Sequence, residues 1–157
     1  MSFPQISELV PHSGAMSLLD TVVSADADNL CAEVRIHAGS VFYDAAEGGV
    51  GSWVGIEYMA QAIAAHAGYL ARQAGEPVKI GFLLGARRYE AQAALFGEGS
   101  VLQVHVHQAL QSDNGLGAFE CRIEAAGMVL AQATVTVFQP ENATQFLQES
   151  SNGAQHE

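Results

Sequence analysis

Basic side chains are scarce in this chain, which has six lysines and arginines against 17 aspartates and glutamates and a formal net charge of −11. Because nucleic acids and anionic membrane surfaces are bound through clusters of basic residues, this imbalance argues against both as partners. Cysteine is also rare: Cys31 and Cys121 lie far apart in the sequence, without metal-ligand spacing. Both fall in strand-like segments, so we predict buried reduced thiols, with a disulfide as the alternative.

Targeting and membrane-spanning signals are missing as well. Residues 1–5 show no basic start followed by an apolar run, so we expect no export signal. The apolar stretch of residues 50–71 approaches the length of a membrane span, but it contains Glu57, Gln61 and His66, which make it too polar for lipid. We therefore predict a buried helix there, in a soluble cytoplasmic protein.

The length and composition are those of one compact domain. A chain of 157 residues with 49% hydrophobic and 15% charged residues can bury a core of its own. No internal repeat or second domain is visible. Because the sequence from Pro140 onward is rich in Gln, Asn, Ser and Glu, we predict a single domain over residues 1–139 and a disordered tail over residues 140–157.

Helical periodicity over residues 53–74 predicts one long helix. Ser52 is a plausible N-cap, and residues 75–77, Gly-Glu-Pro, supply a stop signal. Apolar residues lie almost all round this helix, which indicates burial. Strand-like segments precede it at residues 16–25 and 30–36, and follow it at residues 79–90, 99–111, 116–126 and 128–138.

This order of elements predicts an α+β architecture: a hairpin, a long helix and an antiparallel meander. A helix that is apolar on most sides must be covered by a sheet, because nothing else in the chain can cover it. We therefore predict a hotdog fold, in which a curved antiparallel sheet of five to six strands wraps one central helix. Such a sheet leaves an edge strand and part of the helix uncovered, so we also predict a dimer.

One carboxylate lies inside the predicted helix. Between Ala45 and Leu70 the only charged side chains are Glu47 and Glu57. An ionised carboxylate in apolar surroundings is costly unless it is paired, so we expect the Glu57 carboxyl to be kept dry and neutral. A neutral carboxyl can donate a proton, as a general acid must. The alternative is a hydrogen-bonded core carboxyl without a catalytic role.

Two motifs resemble those of the bacterial beta-hydroxyacyl-acyl-carrier-protein dehydratases. Residues 9–20 read Leu-Val-Pro-His-Ser-Gly-Ala-Met-Ser-Leu-Leu-Asp and resemble the Pro-His motif that leads into a Leu-Leu-Asp strand. Residues 55–61 read Gly-Ile-Glu-Tyr-Met-Ala-Gln and resemble the family's helix motif ending in Glu-x-Met-Ala-Gln. The likeness runs over residues 8–138, and residues 80–89 look closest to the dehydratase-like proteins of aryl polyene gene clusters.

The resemblance implies dehydration of a 3-hydroxyacyl thioester to the trans-2-enoyl thioester, in fatty-acid or polyene-type chain elongation. The substrate would be carried on the phosphopantetheine of an acyl carrier protein, and no cofactor or metal is implied. Glu57 would be the general acid. The family's catalytic histidine stands fourteen residues before this glutamate, where this chain has Tyr43. We therefore predict His12 as the base; the alternative is that His12 caps backbone groups near the first strand.

Two rival functions stay open because the usual histidine is absent. One is thioester hydrolysis, with Glu57 activating water. The other is a non-catalytic subunit that partners an active dehydratase. In the resembling dehydratases the site forms across a dimer interface, so His12 and Glu57 would come from different subunits. The dimer would be a homodimer or a heterodimer with another hotdog subunit.

The remaining site residues are predicted to bind substrate. Free N–H groups of Gly48, Gly49 and Gly51, just before the helix, would polarise the thioester carbonyl; alternatively these glycines only permit a turn. At about 100° per residue, Trp53 and Gln61 share the face of Glu57, with small residues further along. That face suits a narrow acyl channel or, equally, close approach of a partner helix.

Two further groups of residues have weaker functional readings. Arg87 and Arg88, the only adjacent basic pair, would contact phosphopantetheine or an acidic carrier protein, the alternative being simple solvation. His105 and His107 are two apart on a strand, but without a further ligand nearby they indicate a polar sheet face and no metal site. His66 lies about 180° round the helix from Glu57, which indicates a structural role.

Overall fold

The computed structural model describes residues 17–77 and 82–138, and within the second range the side chains from residue 85 onward. His12, the domain boundary at residue 139 and the tail of residues 140–157 therefore lie outside the described residues. The strands are β1 (Thr21–Ala25), β2 (Asn29–Arg35), β3 (Tyr43–Asp44), β4 (Gly49–Gly51), β5 (Phe82–Ala91), β6 (Leu95–Gly97), β7 (Val101–Gln111), β8 (Leu116–Ala125) and β9 (Met128–Phe138). One long helix, α1 (Gly55–Ala74), follows a 3-10 turn, Ser52–Val54.

The strands form two antiparallel sheets. The larger has six strands in the order β1-β2-β7-β8-β9-β5, and the smaller has the order β3-β4-β6. Helix α1 packs on the larger sheet, mainly against β2 and β7. The predicted α+β architecture, with one helix across an antiparallel sheet, is confirmed. The smaller sheet was not expected, because none of its three strands falls within a segment that the sequence predicts to be a strand.

Alternating side chains explain how the larger sheet meets the helix. Leu102, Val104 and Val106 of β7 and Ile123 of β8 are buried, while their neighbours along each strand point away from the helix. Cys121 belongs to the same buried layer, and burial raises the pKa of its thiol to about 12. Both cysteines of the chain are buried and free, which confirms the prediction of reduced thiols.

The ends of α1 follow different rules. At its C-terminus Gly75 adopts a left-handed conformation with φ of 68°, and the N–H of Glu76 donates to the Ala71 carbonyl at 2.9 Å. The predicted stop is confirmed. At the N-terminus the predicted cap is wrong: Ser52 opens the 3-10 turn, and neither that turn nor α1 begins with a side-chain capping bond.

Among the residues that the structure describes, only one side of helix α1 is covered. Its side against the sheet is fully buried, whereas Glu57 on the other side is exposed and Gln61 and Ala64 are half-buried. The prediction of a helix buried all round is therefore wrong for the single chain, because the sheet curls around one side of the helix alone. Within the described ranges, no helix is both long and apolar enough to span a membrane.

Candidate active site

Glu57 lies in the first turn of α1, on its uncovered side. Its side chain is exposed, and no hydrogen bond or ion pair of its carboxylate occurs within residues 17–77 and 82–138. The expectation of a dry carboxyl is therefore wrong for the chain by itself. The reason is geometric: within the described residues, Glu57 lies on the side of α1 that faces away from the six-stranded sheet. The described residues leave this carboxylate exposed, so they do not give it the desolvated environment of a general acid.

A contact between β5 and the turn before α1, which no sequence pattern predicts, fixes the start of the helix. The Tyr89 hydroxyl, from β5, donates a hydrogen bond to the Ser52 carbonyl. Tyr89 crosses directly over Gly55, where a Cβ atom would overlap the hydroxyl and approach Ile123 Cδ1 to 3.0 Å. A glycine is therefore required at position 55, and the contact holds in place the helical turn that carries Glu57. Burial of Tyr89 raises the pKa of its phenol.

Gln61 lies one helical turn beyond Glu57 and fastens the N-terminal segment to the helix. Its Oε1 accepts a hydrogen bond from the Leu18 N–H at 2.8 Å. Asp20, two residues further on, donates its N–H to the Glu33 carbonyl at 2.9 Å, and its Oδ2 accepts the Arg35 N–H at 2.6 Å. Residues 17–20 are thus held between α1 and β2. The oxygen of Gln61 holds main chain, and its predicted role in substrate binding stays a prediction.

Tyr43 occupies the position at which the resembling dehydratases have their histidine. It lies in β3 opposite Val50, packs against the hydrophobic core, and donates its hydroxyl to Glu98 Oε2 at 3.2 Å. Desolvation and the nearby Glu98 carboxylate raise the pKa of Tyr43. The phenol is therefore protonated at neutral pH and cannot serve as a general base. It fastens the smaller sheet to the loop that follows β6.

Three imidazoles of the described chain face away from Glu57. His66 is 1% exposed, its Nε2 lies 3.0 Å from the Asp26 carbonyl, and burial lowers its pKa. His105 and His107 point away from the helix on β7, near Glu124 (3.5 Å) and Asn29 (2.9 Å) respectively. Burial also lowers the pKa of His105. No group of three or more metal-binding side chains occurs in the part of the chain that the structure describes.

Gly48 and Gly49, which precede α1, are each required by the backbone at their position. Gly48 adopts φ of 77°, and its N–H donates to the Asp44 carbonyl at 2.8 Å. Gly49 lies against β6, where a Cβ atom would overlap the Phe96 carbonyl. The N–H of Ser52 donates to the Ala94 carbonyl at 3.0 Å. A role of Gly48, Gly49 and Gly51 in polarising a thioester carbonyl stays a prediction.

Aromatic rings flank Glu57 at the surface. Trp53, four residues before it, is 65% exposed, and Phe42 is 44% exposed. Their ring centroids lie 5.4 Å apart in an edge-to-face arrangement. Gln61 is half-buried one turn beyond Glu57, whereas Trp53 lies in the 3-10 turn before α1, so a shared substrate-binding face of Trp53, Glu57 and Gln61 stays a prediction.

Arg87 and Arg88 lie on β5 beside an irregularity in its pairing with β9. Both are exposed, and Arg88 has a left-handed backbone with φ of 54°. Two other arginines, Arg35 and Arg122, pair with Glu33 and Glu124, whereas neither Arg87 nor Arg88 has an ion pair within the described residues. Their predicted contact with a carrier protein stays a prediction.

A small cavity opens beside the N-terminal segment. It measures about 110 Å³ and is lined by Leu18, Asp20, Val34, His37 and Tyr58, among others. Burial raises the pKa of Tyr58 to about 12. Tyr58 follows Glu57 in sequence but lies on the covered side of α1.

The comparisons with known proteins agree with the motifs. The model of the ApeP-like family, described as ApeP dehydratase, matches residues 4–148. This chain belongs to the ApeP-like dehydratase family. The resemblance to dehydratases of the aryl polyene type is thereby confirmed. No curated protein matches the chain at a significant level.

Solved structures include a relative of this family. A chain of the dehydratase heterocomplex ApeI:P from Xenorhabdus doucetiae is 30% identical, with a TM-score of 0.84, and the match covers 93% of this chain and 97% of that one. A hypothetical thioesterase from Streptococcus pneumoniae with coenzyme A is 12% identical, with a TM-score of 0.61, over 75% and 83%. The protein smu.793 from Streptococcus mutans, bound to acetyl CoA, is 10% identical, with a TM-score of 0.64, over 83% and 94%. At such low identity the last two show a shared fold alone.

Proposed function

We propose that this ApeP-like chain is a subunit of a dehydratase that removes water from a 3-hydroxyacyl thioester on an acyl carrier protein. The product is the trans-2-enoyl thioester, made in fatty-acid or polyene-type chain elongation in the cytoplasm. Membership of the dehydratase family supports the class of reaction. The observation that carries the proposal to this chain is Glu57, presented on the open side of α1.

The reaction needs an acid and a base on one substrate. The base removes a proton from the carbon next to the thioester carbonyl, and that electron pair forms the new double bond. The bond between the next carbon and its hydroxyl breaks, and protonated Glu57 supplies the proton that releases water. Donors near the helix start, predicted at Gly48, Gly49 and Gly51, would stabilise charge on the carbonyl oxygen.

Glu57 can be a general acid only after its carboxyl is desolvated, because burial favours the neutral form. Nothing within the described residues desolvates it. A second subunit laid on the open side of α1 would do so, and the match to a chain of the ApeI:P heterocomplex supports such an arrangement. We therefore propose a complex with a second hotdog subunit of the ApeI type, in preference to a homodimer.

The bond between Gln61 and Leu18 supports His12 as the base. It fastens the N-terminal segment to α1 one turn from Glu57. From His12 to Ser17 there are five residues, which span at most about 17 Å when extended. The length of this segment therefore allows an imidazole at position 12 to reach the Glu57 side of its own chain or of a subunit packed against it.

A second candidate function is a subunit that supports catalysis by its partner without doing chemistry itself. The observation that favours it is Tyr43, whose hydroxyl is engaged by Glu98 where the resembling enzymes have an imidazole. In that case the second subunit would supply acid and base, and this chain would complete the pocket. Arg87 and Arg88, both without an ion pair in the described part of the chain, would then still be available to an acidic carrier protein.

The experiment is turnover by the purified complex of this chain with the ApeI-type subunit of the same organism. A 3-hydroxyacyl carrier-protein substrate is supplied, and enoyl absorbance and free thiol are both followed. We expect Glu57→Gln and His12→Ala each to lower turnover about 10²- to 10⁴-fold. Glu47→Gln, an exposed acid before the same helix, is the matched control and should leave turnover unchanged.

The other outcomes separate the rival functions. Full turnover in both Glu57→Gln and His12→Ala, with loss only after changes in the second subunit, would assign this chain the supporting role. Thiol release without enoyl product would indicate thioester hydrolysis.

A further inference from the structure

The most exposed aromatic surface of the described chain lies next to Glu57. Trp53 is 65% exposed and Phe42 is 44% exposed, and their rings touch edge to face. Leaving two such rings in water forgoes the favourable free energy of burying them. Trp53 lies in the 3-10 turn that leads into α1, four residues before Glu57, and Gln61 and Ala64 further along the helix are half-buried. We call the Phe42–Trp53 pair the aromatic step.

The backbone is shaped to hold this pair outward. Phe42 adopts a left-handed conformation with φ of 68°, which is unfavourable for a residue with a side chain. Gly51 has no Cβ atom, and one placed there would overlap the Trp53 indole nitrogen and lie 2.6 Å from Trp53 Cδ1. A strained residue and a glycine thus position two rings that gain little burial within the chain. Their stabilisation has to come from something that docks on them.

We infer that the aromatic step is the anchor for the second hotdog subunit. This inference rests on the proposed function and adds the residues that hold the complex together. Trp and other aromatic residues are enriched among the residues that dominate binding energy at interfaces. The solved structure that matches with a TM-score of 0.84 is a chain of the ApeI:P heterocomplex, and the match covers 97% of that chain. A subunit seated on Trp53 would also enclose Glu57, one helical turn away, and so create the dry environment that the acid requires.

The first test measures association with the ApeI-type subunit of the same organism. We expect Trp53→Ala and Phe42→Ala each to weaken the complex about tenfold to a hundredfold, as truncation of interface anchors does. The matched control is Leu110→Ala. Leu110 is 55% exposed and pairs with Ala118 in the larger sheet. The start of α1 is near Val104 of the same strand, because Val104 pairs with Ile123, which lies against Gly55. Leu110 is six residues along β7 from Val104. This variant should bind as the unaltered chain does.

A second measurement does not depend on truncation. The chain has a single tryptophan, so 5-fluorotryptophan incorporation places one fluorine label at Trp53. Its ¹⁹F resonance should shift when the unlabelled partner subunit is added. In the complex the ¹⁹F chemical shift should no longer change when H2O is replaced by D2O. Gly51→Ala, which displaces the indole without removing it, should weaken association as well. Thermal unfolding of each free variant verifies that it is folded.

The outcomes separate this inference from the proposed function. Association and the fluorine signal need no catalysis, so both can succeed even if the complex has no dehydratase activity. Unchanged association in Trp53→Ala with lost turnover would overturn the inference and assign the indole to substrate contact. An unshifted resonance on addition of the partner, or failure of the unaltered chains to associate, would overturn it too.

Discussion

The two sides of α1 differ in burial, although both are rich in Ala. Glu57 is exposed, while the next residue, Tyr58, is 1% exposed and stacks near Phe96. Successive residues are about 100° apart around a helix, so one step in sequence moves from the open side to the covered side. The covered side packs against the six-stranded sheet and carries the core. The open side carries the acid and the glutamine that fastens the N-terminal segment, and the exposed indole of Trp53 lies in the turn just before it.

This difference separates stability from function. Residues on the covered side lose burial when they are truncated, so their changes act on the free energy of unfolding. Residues on the open side have little to lose in the single chain, so their changes act on association and turnover. Each prediction below tests whether this division between the two sides holds.

The largest contrast is expected between two positions in the same helical turn. Met59 is 0% exposed, so Met59→Ala should lower the free energy of unfolding by about 2–5 kcal/mol. Glu57→Ala changes an exposed side chain and should stay within about 0.5 kcal/mol of the unaltered chain. Urea unfolding of the free chain measures both. Equal losses for the two variants would show that the open side is as much a part of the core as the covered side.

The contact between Tyr89 and Gly55 gives the next largest effect. Gly55→Ala inserts a methyl group where the Tyr89 hydroxyl lies and should cost about 1–3 kcal/mol, although alanine favours helix more than glycine does. Tyr89→Phe removes the hydroxyl, leaving the new methyl group 3.2 Å from the ring carbon Cζ. The double variant should therefore be more stable than the sum of the two single losses implies. Strict additivity in urea unfolding would mean that the two residues do not touch.

Much of the covered side was predictable from the sequence. Alternation along β7 to β9 and the Gly75 stop follow from local patterns, and each is found in the structure. The smaller sheet was missed because strands of two and three residues, such as β3 and β4, are too short to show a period. Ser52 was mistaken for a cap because its side chain is suitable, whereas Tyr89, 37 residues away, binds its carbonyl.

The open side was misjudged for a different reason. Ala and Gly along α1 make it apolar all round, and a pattern of small residues does not say whether a sheet of the same chain or another subunit covers them. Glu57 was therefore correctly placed on a helix but wrongly expected to be dry. The motif itself identified the family, since residues 55–61 fall within the matched range. The pairing of Gln61 with Leu18 could not be read from sequence, because it joins residues 43 apart.

The smallest predicted effect concerns His66, the buried polar residue of the covered side. Burial lowers its pKa from 6.5, and its Nε2 lies 3.0 Å from the Asp26 carbonyl, to which the neutral Nε2–H tautomer donates. The unfolded chain therefore binds this proton at a higher pH than the folded chain does. The free energy of unfolding must therefore fall as the pH drops below 6.5, and it stops falling once the pH is below the pKa of the folded state. For one proton the slope is at most about 1.4 kcal/mol per pH unit.

Urea unfolding between pH 5 and 7.5 measures this slope. This pH range lies above the range in which the carboxylates affect stability. The pKa values of Asp26 and Glu124 are lowered in the folded chain, so these groups change stability only as the pH falls through their ordinary values of 3.8 and 4.5 and below. His66→Gln should flatten the slope. His105→Gln should flatten it less, because His105 is a quarter exposed and the Glu124 carboxylate opposes the effect of burial on its pKa. An unchanged slope in His66→Gln would mean that the pKa of His66 is the same in the folded and the unfolded chain, so that the covered side of α1 does not desolvate it, and the division between the two sides would fail.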